Sequence, residues 1–297
     1  MQNNVPPTLT LVAGIDTSLD HHVVDLVRTE LDIRLPEKWL APHHAAQITP
    51  AIIPDHAQLK KLRTQLAPHR VDLLTAPRNF PRLLLADMDS TMITGETLDE
   101  LAECIGIGPQ VAAITARAMA GELNFRTALA ERLTLIQGLP ARKVIDHVNN
   151  ITPSPGAKTL IRTLAAQGIT CVLASGGFTV FTSAVADKLG FHHHHGNQLD
   201  TQNGIVTGRL VEPLIDRDSK RALLDHYVQT LGIPATATMT IGDGANDLPM
   251  LQAAGMGIGY RPKPLLQETL DNLILYADLT APLYALGLTP DQFVTTP

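Results

Sequence analysis

Three apolar runs, each closing on a small polar cluster, constrain the fold of this chain more than any other feature of its sequence. Leu83-Leu84-Leu85-Ala86 leads into Asp87-Met88-Asp89-Ser90-Thr91, Cys171-Val172-Leu173-Ala174 into Ser175-Gly176-Gly177, and Met239-Thr240-Ile241 into Gly242-Asp243-Gly244-Ala245-Asn246-Asp247. Apolar strands alternating with helical stretches argue for an α/β fold, a mostly parallel sheet with helices on both faces. Ligands bind at the carboxyl ends of the strands in such sheets, so the three clusters are expected to converge on one edge. A DxD pair after a strand is by itself as easily a helix cap or a solvated turn. Three matched clusters together with Lys220 are much more specific.

Strands are expected over 82–86, 170–174 and 238–241, with a further short one over 257–260. Between the first two, residues 98–150 are almost wholly helical in pattern. Val111, Ile114 and Ala118 recur at helix spacing, as do Leu129, Leu133 and Ile136. An insertion this long exceeds an ordinary crossover and is expected to cap the sheet edge, at about 97–152. The composition shifts near residue 80. Before it, a strand over 9–14 and helices over 18–31 and 55–66 flank a polar, proline-containing middle, which suggests a small α+β module over 1–78 and a main domain over 82–297. Every polar cluster lies downstream of Leu83, so removal of the module is expected to leave the chemistry intact. The module holds His21, His22, His43, His44, His56 and His69, scattered without the spacing of a metal site.

Composition narrows the partners. The 297 residues carry 23 Lys+Arg against 29 Asp+Glu, a net charge of −6, and lack the basic footprint of a nucleic-acid binder. Cys104 and Cys171 are too far apart in sequence for a disulfide framework or a CxxC knuckle, which fits a reducing cytoplasm. The first ten residues read as no secretion signal. The uncharged stretch 169–186 is broken by Ser175, Gly176, Gly177, Thr179 and Thr182, as suits a strand, loop and helix better than a membrane span. The expectation is a cytoplasmic protein that takes a small molecule rather than nucleic acid or membrane, with a homodimer left open.

Convergence of the clusters would crowd Asp87, Asp89 and Asp243, an arrangement of like charges that costs energy unless a cation sits among them. Oxygen ligands without His or Cys select Mg²⁺ in the cell. Ser175 and the amides of Gly176 and Gly177, beside a helix N-terminus, suit phosphate oxygens, and Lys220 could supply fixed positive charge. The combination reads as phosphoryl transfer.

DMDST at 87–91, SGGF at 175–178, Lys220 and GDGAND at 242–247 resemble the four motifs of the haloacid dehalogenase superfamily, in order and approximate spacing. Within it the chain is most similar to the phosphoserine phosphatases. The resemblance covers roughly 83–293 and includes the cap, where Gly121-Glu122-Leu123-Asn124-Phe125 and Arg132 are similar to the family's substrate-recognition helix. It implies a Rossmann-like sheet, with Asp87 as nucleophile and Asp89 as acid, then base. It also implies Mg²⁺ held by the Asp87 and Asp243 side chains and the Asp89 carbonyl, with Ser175, Gly176, Lys220 and Asn246 on substrate or phosphate. Gly177 and Asp247 would support them, Asp247 by holding Lys220 or a metal-bound water. Arg132, Glu96 and Phe125 would recognise the carboxylate, the ammonium and the apolar part of phosphoserine. Ahead of this region, the first 80 residues are similar in layout to an ACT-like regulatory module.

Plainer readings stand beside these. Arg132 could be a solvated helix face, Phe125 cap core, and Glu96 a first-turn acid favoured by the helix dipole. Residues alternate along a strand, so in the run His192 to His195 only His192 with His194, or His193 with His195, could share a ligand, and a partly exposed strand is the simpler account. A phosphatase or phosphotransferase for another small phosphomonoester shares the same motifs. An amino-acid-binding regulatory protein is suggested only by the N-terminal layout.

Overall fold

A computed structural model describes residues 7–119 and 122–295. Its N-terminal part comprises β1 (Leu9–Ala13), α1 (His21–Glu30), β2 (Lys38–Ala41), β3 (Ala45–Ile48), α2 (His56–Leu66) and β4 (Val71–Thr75). Helix α2 starts where the sequence marks it. The Asp55 carboxylate accepts the Gln58 backbone N–H at 2.8 Å, and the Gln58 side chain accepts that of Asp55 at 3.0 Å, a reciprocal cap. Leu59, Leu62 and Leu66 then bury one face. The strands form an antiparallel sheet in the order β2-β3-β1-β4. Strands β2 and β3 occupy the polar middle in which no element is expected, and β4 is likewise unforeseen. These short strands are interrupted by polar residues such as Gln47 and Asp72, and no long apolar run marks them.

The main sheet has six strands, β12-β11-β10-β5-β6-β7, all parallel. Strand β5 (Leu83–Ala86) leads into the helical insertion α3 (Thr97–Cys104), α4 (Gly108–Met119), α5 (Phe125–Leu135) and α6 (Ala141–His147). Then come α7 (Ala157–Ala166), β6 (Thr170–Phe178), α8 (Thr179–Leu189), β7 (His193–Asn197) and the hairpin of β8 (Thr201–Gln202) and β9 (Ile205–Val206). The chain closes with α9 (Arg217–Leu231), β10 (Thr238–Gly242), α10 (Leu248–Ala253), β11 (Met256–Tyr260), α11 (Pro264–Thr269), β12 (Asn272–Ile274) and α12 (Ala281–Ala285). Alternate residues of the central strands face opposite helix layers, as a two-sided sheet requires. Leu84, Ala86, Cys171 and Leu173 pack with Leu160, Leu164 and Phe181, whereas Leu83, Leu85, Val172 and Ala174 pack with Leu224, Met250 and Leu266. Strand β12, three residues long, escapes the sequence pattern.

Strand β5 lies between β10 and β6, with Ala86 opposite Ile241 on one side and Leu173 on the other. The chain leaves β5 for β6 and later returns to β10, so the order switches at β5 and a crevice opens there. The insertion covers that end. It joins the sheet through two short segments, an antiparallel bridge between Ile93 and Pro153 and bonds from Thr94 N–H to Thr152 O (3.0 Å) and Ser154 N–H to Met92 O (3.0 Å). Leu101, Leu129, Leu133, Ile136 and Val144 of the cap share a cluster with Met88, Met92 and Phe178 of the sheet.

The N-terminal sheet shares a core with the main domain. Val12, Leu40, Ala41, Ala45 and Leu74 belong to the same cluster as Leu283, Tyr284 and Leu288. At the junction, the buried Asp72 carboxylate accepts N–H bonds from Leu275 (2.9 Å), Tyr276 (3.0 Å) and Ala277 (2.8 Å). Burial pushes its pKa up, against the opposing pull of these three donors. Asn272 answers from the other side, its Oδ1 accepting the Thr75 N–H at 2.8 Å and hydroxyl at 3.0 Å. Removal of 1–78 would strip these partners from β12 and from 275–277 and uncover Leu283 and Tyr284, so the intact chemistry expected of a truncated chain has to overcome a bared apolar face. Asp72→Asn replaces one acceptor oxygen with a donor that faces a backbone N–H. It should cost about 1–3 kcal/mol, as an unsatisfied buried polar group does, read as a lower midpoint in denaturant unfolding of the full chain.

Candidate active site

The convergence expected from the sequence is present. Asp87 sits at the end of β5, where its N–H bonds Ile241 O of β10 at 2.9 Å and so fixes one cluster against another. The chain then turns sharply. Ser90 takes a left-handed backbone (φ 54°) and its N–H reaches Gly95 O at 2.9 Å. The turn leaves the Asp89 carboxylate between two elements. Its Oδ1 accepts the Thr97 N–H (2.8 Å) and hydroxyl (2.9 Å) at the start of α3, and its Oδ2 accepts the Ser175 hydroxyl at 2.8 Å.

Lys220 projects from α9, whose first turn is capped by the Asp216 carboxylate on Ser219 N–H at 2.9 Å. Its ammonium is 2% exposed, touches Asp87 Oδ1 and donates to Asp247 Oδ1 at 2.6 Å. Asp247 itself is fully buried. Its Oδ2 accepts the N–H groups of Asp243 (3.3 Å) and Gly244 (3.2 Å), and its Oδ1 that of Asn246 Nδ2 (3.3 Å), closing the loop after β10 on itself. Glycine at 242 is required by this closure, since a Cβ there would lie 2.6 Å from the Asp247 carboxylate.

The charges at the crevice are unbalanced. Asp87, Asp89, Glu96, Asp243 and Asp247 face two ammonium groups, Lys220 and Lys263, the latter 3.0 Å from Asp243 Oδ2. Burial pushes the Asp87 pKa well up, and Asp247 adds to the shift while Lys220 opposes it. Burial would lower the Lys220 pKa, but Asp247 and Asp87 overcome it and hold the ammonium protonated. Asp243 is raised by burial against Lys263, and Glu96 is raised to about 6 by burial and the nearby Asp89. Such an acid-rich site is built for a cation.

Carboxylate oxygens of Asp87, Asp243 and Asp247 lie within 4.8 Å of one another, the one such group of metal-binding side chains among the described residues. The donors are all oxygen and suit a hard divalent ion. Asp247, expected only to support the site, thus belongs to the side-chain triad, whereas the Asp89 carboxylate is engaged by Thr97 and Ser175.

Of the expected cap residues, Glu96 accepts the Ser90 hydroxyl at 2.8 Å beside the DxD turn. Phe125 lies over the Ser175 loop, its ring carbons 3.2 Å from where a Cβ on Gly176 would stand. Arg132 donates to Thr115 Oγ1 of α4 at 2.6 Å, while its buried Nε has no partner among the described residues. Gly121 of the expected recognition helix lies outside the described residues. Glu122 and Leu123 precede helix α5 rather than form part of it, because Asn124 caps its start on Thr127 N–H at 2.9 Å. The run His192 to His195 holds no metal geometry. His192 Nδ1 takes Cys171 N–H at 2.9 Å, His194 meets Thr182 at 3.0 Å, and His195 meets the Tyr227 hydroxyl at 2.9 Å.

Thr97, Lys263 and Asn197 were not foreseen. Thr97 follows the DMDST motif closely and could have been sought as a near neighbour, whereas Lys263 lies beyond β11 and is brought back to the GDGAND motif only by the fold. Asn197 belongs to no recognisable pattern.

The family of haloacid dehalogenase-like hydrolases matches residues 84–252. A phosphoserine phosphatase of Mycobacterium tuberculosis is 41% identical over 208 residues, 70% of this chain and 51% of that protein. The chain spans 57% and 64% of two further curated phosphoserine phosphatases, from Streptomyces coelicolor and Archaeoglobus fulgidus. Among solved structures, a haloacid dehalogenase family hydrolase of Salmonella enterica serovar Typhi superimposes with a TM-score of 0.86 at 26% identity, over 94% of this chain and 98% of that one. A phospho-aspartyl intermediate analogue of a phosphoserine phosphatase does so with 0.64 at 35% identity, over 69% and 99%.

Lys220→Met tests the electrostatic core. Removing the ammonium leaves Asp87 and Asp247 buried without their counter-charge, which should cost about 3–5 kcal/mol of unfolding free energy. Added divalent cation should restore part of the loss in a thermal melt, and an unchanged melt would contradict the arrangement.

Proposed function

The chain belongs to the haloacid dehalogenase-like hydrolases, and we propose that it hydrolyses O-phospho-L-serine to L-serine and phosphate through an aspartyl-phosphate on Asp87, as the last step of L-serine biosynthesis. The observation that carries this reading is the Asp87 carboxylate held against buried Lys220 at the mouth of the β5 crevice, with Asp89 fixed beside it on Ser175. The names of the relatives described above support the choice of substrate.

In the first half-reaction an Asp87 oxygen attacks phosphorus, and the bond from phosphorus to the seryl oxygen breaks. Asp89 gives its proton to that departing oxygen. In the second, Asp89 takes a proton from water, whose oxygen attacks phosphorus and releases Asp87. Splitting the displacement in two lets one carboxyl group serve both as acid and as base. Lys220 and the Ser175-Gly176 loop stabilise charge on the transferring group. The acidic triad fits Mg²⁺, which Asp87 and Asp243 would hold with the Asp89 carbonyl, and the bound ion would offset the phosphoryl charge. Asp247 secures Lys220, and Asn246 faces the phosphate.

Phosphoserine also carries a carboxylate and an ammonium. Arg132, whose buried Nε has no partner among the described residues, suits the carboxylate, and Glu96 suits the ammonium. Phe125 covers the site from the cap. A small polar substrate, no helix long and apolar enough to cross a membrane among the described residues, and two free cysteines fit a cytoplasmic enzyme.

Phosphate release from O-phospho-L-serine, with and without Mg²⁺ and chelator, tests reaction, substrate and metal together. Turnover should require the metal, and Asp87→Asn should fold but release no phosphate, because an amide forms no acyl-phosphate under these conditions. Activity in excess chelator would sink the scheme.

A second outcome concerns pH. A carboxyl with its pKa raised to about 6 is neutral below that pH and cannot pair with an ammonium. The ratio of kcat/KM for phosphoserine between wild type and Glu96→Gln should therefore shrink as pH falls below this value. The substrate's own ionisation cancels in the ratio, and a pH-independent ratio would remove Glu96 from the ammonium site.

A further inference from the structure

We propose that Asn197, at the end of edge strand β7 and outside the polar clusters, is a positioning residue that sets the Ser175 hydroxyl and thereby the proton-transfer group Asp89. The inference rests on the hydrolase reading of the site. Asn197 is 1% exposed and its amide is used on both sides. Nδ2 donates to Gly176 O at 2.7 Å and to Ile215 O at 3.2 Å, while Oδ1 accepts the Ile215 N–H at 2.7 Å. A buried amide held at three points has one orientation, and so has whatever it grips.

The gripped group is the peptide between Gly176 and Gly177. Its carbonyl is taken by Asn197, and its N–H, that of Gly177, donates to Ser175 Oγ at 2.8 Å. With that side of the hydroxyl oxygen occupied by a donor, the Ser175 proton is directed to Asp89 Oδ2 at 2.8 Å. A relay of four groups thus runs from Asn197 through a backbone peptide to Ser175 and Asp89. A side chain at 177 would press on it, since a Cβ there would lie 3.1 Å from Ser175 Oγ and 3.3 Å from Asp89 Oδ2. The second arm of Asn197 reaches Ile215, next to the cap residue Asp216 of the helix that carries Lys220. One buried amide therefore ties the phosphate loop to the lysine helix.

A double-mutant cycle separates positioning from mere structural support. Four proteins are compared in the presence of Mg²⁺: wild type, Asn197→Ala, Ser175→Ala and the double variant. The measurements are kcat on phosphoserine, Kd for inorganic phosphate by calorimetry, and the thermal melt. Asn197→Ala should lower kcat by about 10- to 100-fold, as a small displacement of catalytic groups does. It should also weaken phosphate about fivefold, the equivalent of one lost hydrogen bond. If Asn197 acts through Ser175, the double variant should match Ser175→Ala within about twofold in both quantities. A structural role would instead lower the melt and the active fraction, leave the phosphate Kd of the folded protein unchanged, and multiply the losses in the double variant. Either multiplied losses or an unaltered Asn197→Ala enzyme overturns the proposal. Should Asn197→Ala fail to fold, Asn197→Asp keeps the acceptor for Ile215 N–H, loses the donor to Gly176 O, and is read by the same criteria. Phosphate affinity does not depend on the identity of the ester. A wild type that binds phosphate but leaves phosphoserine intact would refute the substrate assignment, with the cycle still legible in the phosphate Kd.

Discussion

The contact between Lys220 and the carboxylates of Asp87 and Asp247 is the constraint on which the remaining structure depends. It joins three elements, β5, α9 and the loop after β10, where all three side chains are buried. Burying ions costs several kcal/mol for each, so the arrangement persists only because every charge there has a fixed partner. Lys220 has two carboxylates, and Asp247 collects two backbone N–H groups and an amide besides. The surplus of acid remaining at the crevice is what makes the site receptive to a cation.

The same frugality with polar atoms links the cap to the chemistry. Asp89 spends one carboxylate oxygen on the first turn of α3 and the other on Ser175, so the helix that opens the cap begins on the proposed proton donor. The cap is otherwise tethered by the short crossing of 92–94 with 152–154. An insertion joined by two short tethers over the crevice suits a cover that admits a ligand and excludes water.

The N-terminal sheet is bound to this frame by Asp72, which holds the backbone of 275–277. Two residues further along, Leu279 N–H bonds Pro155 O at 3.0 Å, beside the returning tether of the cap. The module and the returning tether of the cap therefore share a neighbour, the segment 275–279.

Sequence alone carried the central strands, the insertion and most residues of the crevice, because apolar runs must be buried and their polar ends then meet at one sheet edge. The runs at Leu83, Cys171 and Met239 read as inner strands because each ends in a polar cluster, and adjacency of β5, β6 and β10 then brings Asp87, Ser175 and Asp243 together. Short elements were not legible. Strand β4 pairs with the distant β1, β12 is held by Thr75, β2 and β3 lean on each other and on β1, and none of the four has the unbroken apolar run that marks β5. Apart from Asp247 with Lys220, which the family resemblance implied, sequence assigned few partners to single polar residues. That Asp247 would join Asp87 and Asp243, that Lys263 would face Asp243, and that Asn197 would hold Gly176 are decided by packing across separations of tens to more than a hundred residues. A buried polar group must find a partner, but only the tertiary structure selects which one.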